Sequence, residues 1–188
     1  ASLALVLQQP LAAQVVSNLS PALDAARQEA GIPALVAVVV SSDSVLARGV
    51  AGVRDVNHDV PATLDDLWHI GSVTKSFTST LAEALAAQGR FSWDTRLGEV
   101  FDEARGTPFD TVPVSALARH VSGIRRDPSM AWFGQARRSE LPLTEQRRAV
   151  VVEALQAVPD YPPGQRMEYS NLGYMALGLV LETLTGEP

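Results

Sequence analysis

Ser72 and Lys75 are the residues whose types and spacing point most directly to chemistry. They are separated by Val73 and Thr74 at the start of a predicted helix. Residues three positions apart on a helix are neighbours, so this spacing places the hydroxyl beside the amine. The first helical turn also offers unpaired N–H groups and the positive end of the helix dipole, which stabilise negative charge developing on a serine oxygen. The pattern predicts a serine nucleophile with a lysine base.

The composition singles out Lys75 in a second way. Lys and Arg together number 15, and Lys75 is the single Lys among them. Arg keeps its proton near neutral pH, whereas a desolvated Lys can release its proton and act as a base. A base at position 75 therefore requires Lys, although the other cationic side chains of this chain are Arg. A second interpretation stays open, in which Ser72 caps the helix and Lys75 lies on a solvated face.

Tyr169, Ser170 and Asn171 form a second group, after the turn-forming residues 162–164. In an extended segment the side chains of Tyr169 and Asn171 project to the same side. A phenol can take part in proton transfer when it lies near a cation, and an amide can hold a substrate carbonyl or amide group. The alternative is a Tyr packed on the core, with Asn or Ser capping the next helix.

Three stretches predict the helices that would position these residues. The first runs over residues 20–30 and is closed by Gly31 and Pro33, and the last runs over residues 172–184. The middle helix covers residues 72–88 and is expected to be buried on one side. That side carries Val73, Phe77, Leu81 and Leu85.

Strands are expected mainly near the N-terminus. Residues 34–40 are a β-branched apolar run, 41–44 are rich in turn residues and 45–53 resume extended character, which predicts a β-hairpin. Residues 57–61 are interpreted as a loop, and residues 92–160 as a loop-rich region of short helices. A two-stranded ribbon is marginal in water, and residues 34–40 are apolar on both faces. We therefore expect partner strands in sequence outside this chain, or in a second chain.

The bulk composition narrows the function classes. A net charge of −6 and a pI near 5.0 give no overall positive field to attract a phosphate backbone, so no nucleic acid is expected as a partner. There is no cysteine, which excludes a disulfide framework and a cysteine nucleophile. No apolar run reaches the roughly 18 residues of a membrane span.

Residues 1–19 are interpreted as a signal remnant or an N-terminal extension, and residues 20–188 as the N-terminal major part of a domain whose C-terminal strands are expected outside this sequence. Residues 1–13 are apolar and end in small residues, as the tail of a signal peptide does. They lack the initiator Met and the basic start that would decide between the two interpretations.

The histidines and the paired arginines receive no chemical role. His58 and His69 have no His or carboxylate partner at ligand spacing, so no metal site is expected. A lone His such as His120 more often satisfies a local hydrogen bond, and we interpret it as structural. The arginine pairs are interpreted as solvated helix faces. They lie at 125–126, 137–138 and 147–148.

Several separated motifs together resemble the class C β-lactamases and the penicillin-binding-protein-like serine hydrolases. They occupy residues 68–77, 117–124, 163–174 and 178–186. The resemblance implies an α/β (α+β) fold of the β-lactamase/transpeptidase type, in which a helical region packs on an antiparallel sheet. It implies acyl transfer through a Ser72 acyl-enzyme, without a cofactor, in the periplasm or outside the cell.

The resemblance also assigns roles to single residues. Ser72 would be acylated, and its N–H would form half of the oxyanion hole. Lys75 would deprotonate Ser72, Tyr169 would share the proton transfer, and Asn171 would contact the substrate amide. The substrate would be a small molecule or peptide with an acyl carbonyl, among β-lactams, D-amino-acid peptides and esters.

One departure concerns the third motif of these proteins, Lys-Thr-Gly or His-x-Gly on a strand beside the site. It has no counterpart in these 188 residues. Losing one oxyanion donor typically costs about 2.7 to 4 kcal/mol in the transition state, so the isolated chain is expected to be inactive. Two alternatives stay open: an esterase without lactamase activity, and a non-catalytic receptor or assembly module that keeps the fold.

Overall fold

The computed structural model describes residues 16–187 as two compact units, one ending at His69 and the other beginning at Ile70. Residues 1–13, interpreted above as the tail of a signal peptide, lie outside this described part. Within it, no helix is both long enough and apolar enough to cross a membrane.

The first unit combines a small sheet with one helix. Its elements are β1 (Ser17–Asn18), α1 (Ser20–Ala30), β2 (Ala34–Val40), β3 (Val45–Asp55) and β4 (His58–Pro61). β3 pairs antiparallel with β2 and β4, and parallel with β1. The described sheet therefore has four strands, with β3 at its centre. α1 packs on β3 where a side chain at Gly49 would collide with the backbone of Ser20, so this close approach needs glycine.

The first helix and the hairpin are confirmed, whereas the loop predicted at residues 57–61 is wrong. α1 ends at a left-handed Gly31, and β2 and β3 form the predicted hairpin. The chain turns back sharply after β3 because the Asp55 carboxylate accepts hydrogen bonds from the Asn57 backbone at 2.8 Å and from the Asn57 side chain at 3.1 Å. This turn makes residues 58–61 a fourth strand.

The second unit is mostly helical. Its helices are α2 (Thr74–Ala87), α3 (Leu97–Val100), α4 (Val114–Ala118), α5 (Met130–Ala136), α6 (Leu143–Gln156) and α7 (Asn171–Thr185), with 3-10 turns at Gly71–Val73 and Asp102–Ala104. The helix predicted at 172–184 is confirmed as α7. The region 92–160 is rich in loops and short helices as expected, except that α6 extends over 14 residues.

The core of this unit forms around α7. Leu172, Leu177 and Val180 of α7 are fully buried against the apolar side of α6 and the residues around α3 and α4. Each buried Leu or Val contributes about 1.5–3 kcal/mol relative to its exposed state. α7 is therefore a rigid element, and the residues at its N-terminus are held in place by the core.

The helix predicted at 72–88 is confirmed, but the prediction that its Val73–Leu85 side is buried is largely wrong. Phe77 and Leu81 are 65% and 54% exposed, whereas Leu85 of the predicted side is buried, together with Ala82. The physical reason is local: Phe77 and Leu81 line an open cleft with α7 residues such as Met175, and do not pack against a neighbour there. Val73 is also exposed.

Candidate active site

Ser72 and Lys75 lie at the entrance to α2, as their spacing predicts. Ser72 belongs to the 3-10 turn Gly71–Val73, and Lys75 to the first turn of α2. Nζ of Lys75 lies 3.3 Å from Oγ of Ser72. Ser72 is not the N-cap of either helical segment, and Lys75 is half-buried. The alternative of a capping Ser beside a solvated Lys therefore does not apply.

Tyr169 is brought to the same place from the loop before α7. Its phenol donates a hydrogen bond of 2.6 Å to Oγ of Ser72. Nζ of Lys75 lies 4.9 Å from the centre of the Tyr169 ring. Hydrogen bonding to Lys75, and then to Ser72, holds the pKa of the Tyr169 phenol below its ordinary value. A phenol with a lowered pKa is a better proton donor at neutral pH.

Asn171 completes the group that the sequence predicts. Its Oδ1 accepts a hydrogen bond of 2.7 Å from Nζ of Lys75. Tyr169 and Asn171 thus reach the Ser72–Lys75 pair from one segment, as the side-chain alternation of an extended chain predicts. The structure brings together all four candidate residues within a single unit of the chain.

Ser170, between them, takes the capping role that the alternative interpretation offered to Ser or Asn. Its Oγ accepts from the Gly173 N–H at 2.7 Å and donates to the carbonyl of Arg125 at 2.8 Å. Ser170 is therefore the N-cap of α7 and also ties that helix to the loop at residue 125. The cap fixes the backbone from which Tyr169 and Asn171 project.

His120 supports this loop, and its ring nitrogen satisfies the local hydrogen bond expected of a structural His. Nδ1 accepts the Ser170 N–H at 3.1 Å, so that nitrogen must carry a lone pair. The ring lies 4.6 Å from the ring of Tyr169. Burial, and then the charge of Lys75, lowers the pKa of His120. His120 also has a positive φ of 58°, a conformation that few non-glycine residues adopt.

The sequence reasoning missed Asp127 at the site, and it assigned no role to Arg126. Asp127 accepts a hydrogen bond of 2.6 Å from Nδ2 of Asn171. The guanidinium of Arg126 lies 5.4 Å from the ring centre of Tyr169. Both follow the motif at 117–124, and that proximity is the one signal in the sequence that could have indicated them.

The interpretation of the arginine pairs as solvated helix faces is wrong for several members. Arg125 and Arg126 lie in a loop, and Arg125 pairs with Glu153 at 2.7 Å. In α6, Arg147 pairs with Glu182 and Arg148 with Glu103. Arg125, Arg147 and Arg148 join separate segments because their carboxylate partners lie far away in the sequence.

The described residues contain no group of three or more His, Cys, Asp or Glu side chains that could hold a metal ion. The chemistry this arrangement can perform uses a hydroxyl, an amine, a phenol and an amide. A hydroxyl in contact with two groups that exchange protons is the arrangement required of an activated nucleophile.

Comparison with known proteins identifies the same family as the motifs. The model of the Beta-lactamase family matches residues 19–188. A Beta-lactamase of Providencia stuartii is 33% identical over 69% of this chain and 30% of its own length. Penicillin-binding protein 4 of Amycolatopsis lactamdurans is 32% identical over 87% of this chain and 42% of its own length. The chain thus spans less than half the length of these relatives.

Solved structures share the fold. A class C β-lactamase in complex with cefoxitin has a TM-score of 0.70 and 25% identity, over 87% of this chain and 42% of its own. The octameric penicillin-binding protein homologue from Pyrococcus abyssi has a TM-score of 0.66 and 28% identity, over 86% of this chain and 37% of its own. The predicted mixed α/β fold class and the resemblance are both confirmed, and the chain belongs to the Beta-lactamase family.

Proposed function

We propose that this chain carries the acylation site of a serine hydrolase, with Ser72 as the nucleophile. The observation that carries the proposal is the contact of Ser72 Oγ with both Lys75 Nζ, at 3.3 Å, and the Tyr169 phenol, at 2.6 Å. Membership of the Beta-lactamase family supports it. Oγ of Ser72 attacks the carbonyl carbon of the substrate and forms an ester-type acyl-enzyme.

The proton of Ser72 is removed by Lys75 in its uncharged state. Tyr169 donates its phenolic proton to the leaving group and regains one from Lys75, whose Nζ lies 4.9 Å from the centre of the Tyr169 ring. The hydrogen bond from Tyr169 also stabilises negative charge as it develops on Oγ. The lowered pKa of Tyr169 supports this role because it makes the phenol a stronger acid.

Asn171 is proposed to contact the substrate amide. An Asn side chain has two N–H donors, and one of them is bonded to Asp127. The other can be offered to a carbonyl oxygen of the substrate. The Ser72 N–H is proposed to serve as half of the oxyanion hole, in keeping with its position at the start of a helix.

The proposed substrates are small molecules or peptides with an acyl carbonyl, namely β-lactams, D-amino-acid peptides or esters. The names of the relatives support the first two classes, since they include a Beta-lactamase and, in Escherichia coli, a Putative D-alanyl-D-alanine carboxypeptidase. The proposed location is the periplasm or the exterior of the cell. Cell fractionation with an antibody against the protein tests it, and a signal confined to the cytoplasm would contradict it.

A panel of three substrates tests the activity and its class. The full-length protein is assayed with nitrocefin, a peptide ending in D-Ala-D-Ala and p-nitrophenyl acetate, with Ser72→Ala as the control. Turnover that requires Ser72 supports the proposal, and turnover of the ester alone would favour an esterase. Turnover of none of the three would favour a non-catalytic receptor.

A further inference from the structure

Asp127 is linked to the proposed catalytic amine through one side chain, that of Asn171. Nδ2 of Asn171 donates to Asp127 Oδ1 at 2.6 Å, and Oδ1 of Asn171 accepts from Lys75 Nζ at 2.7 Å. The other carboxylate oxygen of Asp127 lies 3.3 Å from Nε of Arg126. The Arg126 carbonyl accepts the backbone N–H of Asn171 at 2.8 Å. Asn171 is therefore held by the side chain of Asp127 and by the backbone carbonyl of the preceding residue, Arg126.

A carboxylate dictates which end of an amide faces it. An ionised carboxylate only accepts hydrogen bonds, so Asn171 must turn its Nδ2 towards Asp127. That choice leaves Oδ1 facing Lys75. A charged Lys75 requires the same orientation of the Asn171 amide, because an ammonium group only donates hydrogen bonds.

When Lys75 is uncharged, Asp127 still requires this orientation of the Asn171 amide but Lys75 does not. A neutral amine has N–H donors and also one lone pair, so it can accept a hydrogen bond from a reversed Asn171. Such a bond would occupy the lone pair that must take the Ser72 proton. Asp127 opposes this reversal, since turning Asn171 around would remove the donor from a carboxylate that lies 2.6 Å away.

We propose that Asp127 is a positioning residue that holds the Asn171 amide in one orientation, so that the lone pair of uncharged Lys75 stays available to Ser72. This restraint on the amide is called the lock below. The effect of the lock on catalysis rests on the proposed function above. The lock itself is a property of the Asp127–Asn171 pair. Its loss is expected to slow acylation and to leave binding of the substrate unchanged.

The test compares Asp127→Ala with the conservative Asp127→Glu in the full-length protein. Phosphonylation of Ser72 by a fluorophosphonate needs the same deprotonated nucleophile: Oγ bonds to phosphorus, fluoride leaves and the hydroxyl proton goes to Lys75. The reaction is followed by intact-protein mass, and varying the reagent concentration separates its rate constant from the dissociation constant of the reagent. Asp127→Ala is expected to lower the rate constant about tenfold, the usual order for losing a hydrogen bond to a charged group, with Asp127→Glu recovering part of it.

The control is Asp102→Ala, which removes the same charge from a side chain that is 83% exposed and paired with Arg105. Loss of an anion near Lys75 would by itself favour the uncharged amine and speed acylation. A slower Asp127→Ala with a normal Asp102→Ala therefore supports the lock. An unchanged or faster Asp127→Ala, or an equal loss in rate and affinity, would overturn it.

A second readout does not depend on activity. Hydrogen exchange of the Asn171 side-chain amide, measured by NMR, is expected to be slow in the wild type and in Asp102→Ala, and faster in Asp127→Ala. Equal exchange in all three would contradict the lock. Absence of any fluorophosphonate label on the wild type would instead count against the proposed function, and the exchange measurement would still decide the lock.

Discussion

Tyr169 donates a hydrogen bond of 2.6 Å to Ser72, although 97 residues separate the two in the sequence. The bond exists because the N-terminus of α7, capped by Ser170, is held against the loop at residue 125. A side chain placed by a buried helix is more rigid than one on a free loop. The contact therefore supports a prearranged site.

Lys75→Arg tests whether the amine must lose its proton. The variant keeps the positive charge but carries a guanidinium that stays protonated near neutral pH. We expect the rate of nucleophilic attack by Ser72 to fall at least about 100-fold. The measurement is the time course of fluorophosphonate labelling, with the melting temperature as a check on folding. A fully active and folded Lys75→Arg protein would show that Lys75 is not the base.

Tyr169→Phe tests whether the phenol of Tyr169 protonates the leaving group. Removing the hydroxyl is expected to lower kcat about 100-fold, because the leaving group loses its proton donor. In the wild type, activity should fall as the pH rises through the pKa of Tyr169, which lies below the usual 10.0. This basic limb should be absent from the pH profile of Tyr169→Phe. Its persistence in the variant would assign that limb to another group.

His120 is expected to make stability depend on pH. Burial, and then the Lys75 charge, places its folded-state pKa below the usual 6.5, so the unfolded chain binds the proton more readily. Its contribution to stability is complete above about pH 6.5 and is lost as the pH falls through the lower folded pKa. Urea unfolding at a series of pH values measures this loss.

His120→Asn is the matched variant for that measurement. Asn tolerates the positive φ at position 120 and can accept the Ser170 N–H, but it does not titrate. The free energy of unfolding should fall less between neutral and acidic pH in this variant than in the wild type. Identical pH dependence in the two proteins would rule out the His120 contribution.

Leu177→Ala tests the core that holds α7. Leu177 is fully buried, so the variant should lose about 2–5 kcal/mol of unfolding free energy. Leu143→Ala is the control, since Leu143 is 75% exposed and its loss should change stability by no more than about 0.5 kcal/mol. Chemical denaturation measures both. Equal stability of the two variants would contradict the assigned core.

Local spacing predicted the parts of the site that depend on one segment. Ser72 and Lys75 are neighbours because they are three positions apart at a helix start. Tyr169 and Asn171 project together because Ser170, the residue between them, has an extended backbone. The contact between these two segments depends on the tertiary fold, which local spacing does not predict. The sequence indicated this contact only through the family resemblance.

Other features depend on neighbours that periodicity does not reveal. Asp127 has no local signal of its own, because its partner Asn171 lies 44 residues away. The apolar repeat of α2 indicated a buried side, yet Phe77 and Leu81 line an open cleft. The short strand β4 was missed because it forms through a turn held by Asp55, without the β-branched run that marks a strand.

The most direct test of the account is the intact mass of the full-length protein after reaction with a fluorophosphonate, followed by peptide mapping. The account predicts one adduct per chain, located on Ser72, and no adduct on the Ser72→Ala variant. An adduct that survives in Ser72→Ala, or a folded wild-type protein that gains no mass, would contradict it.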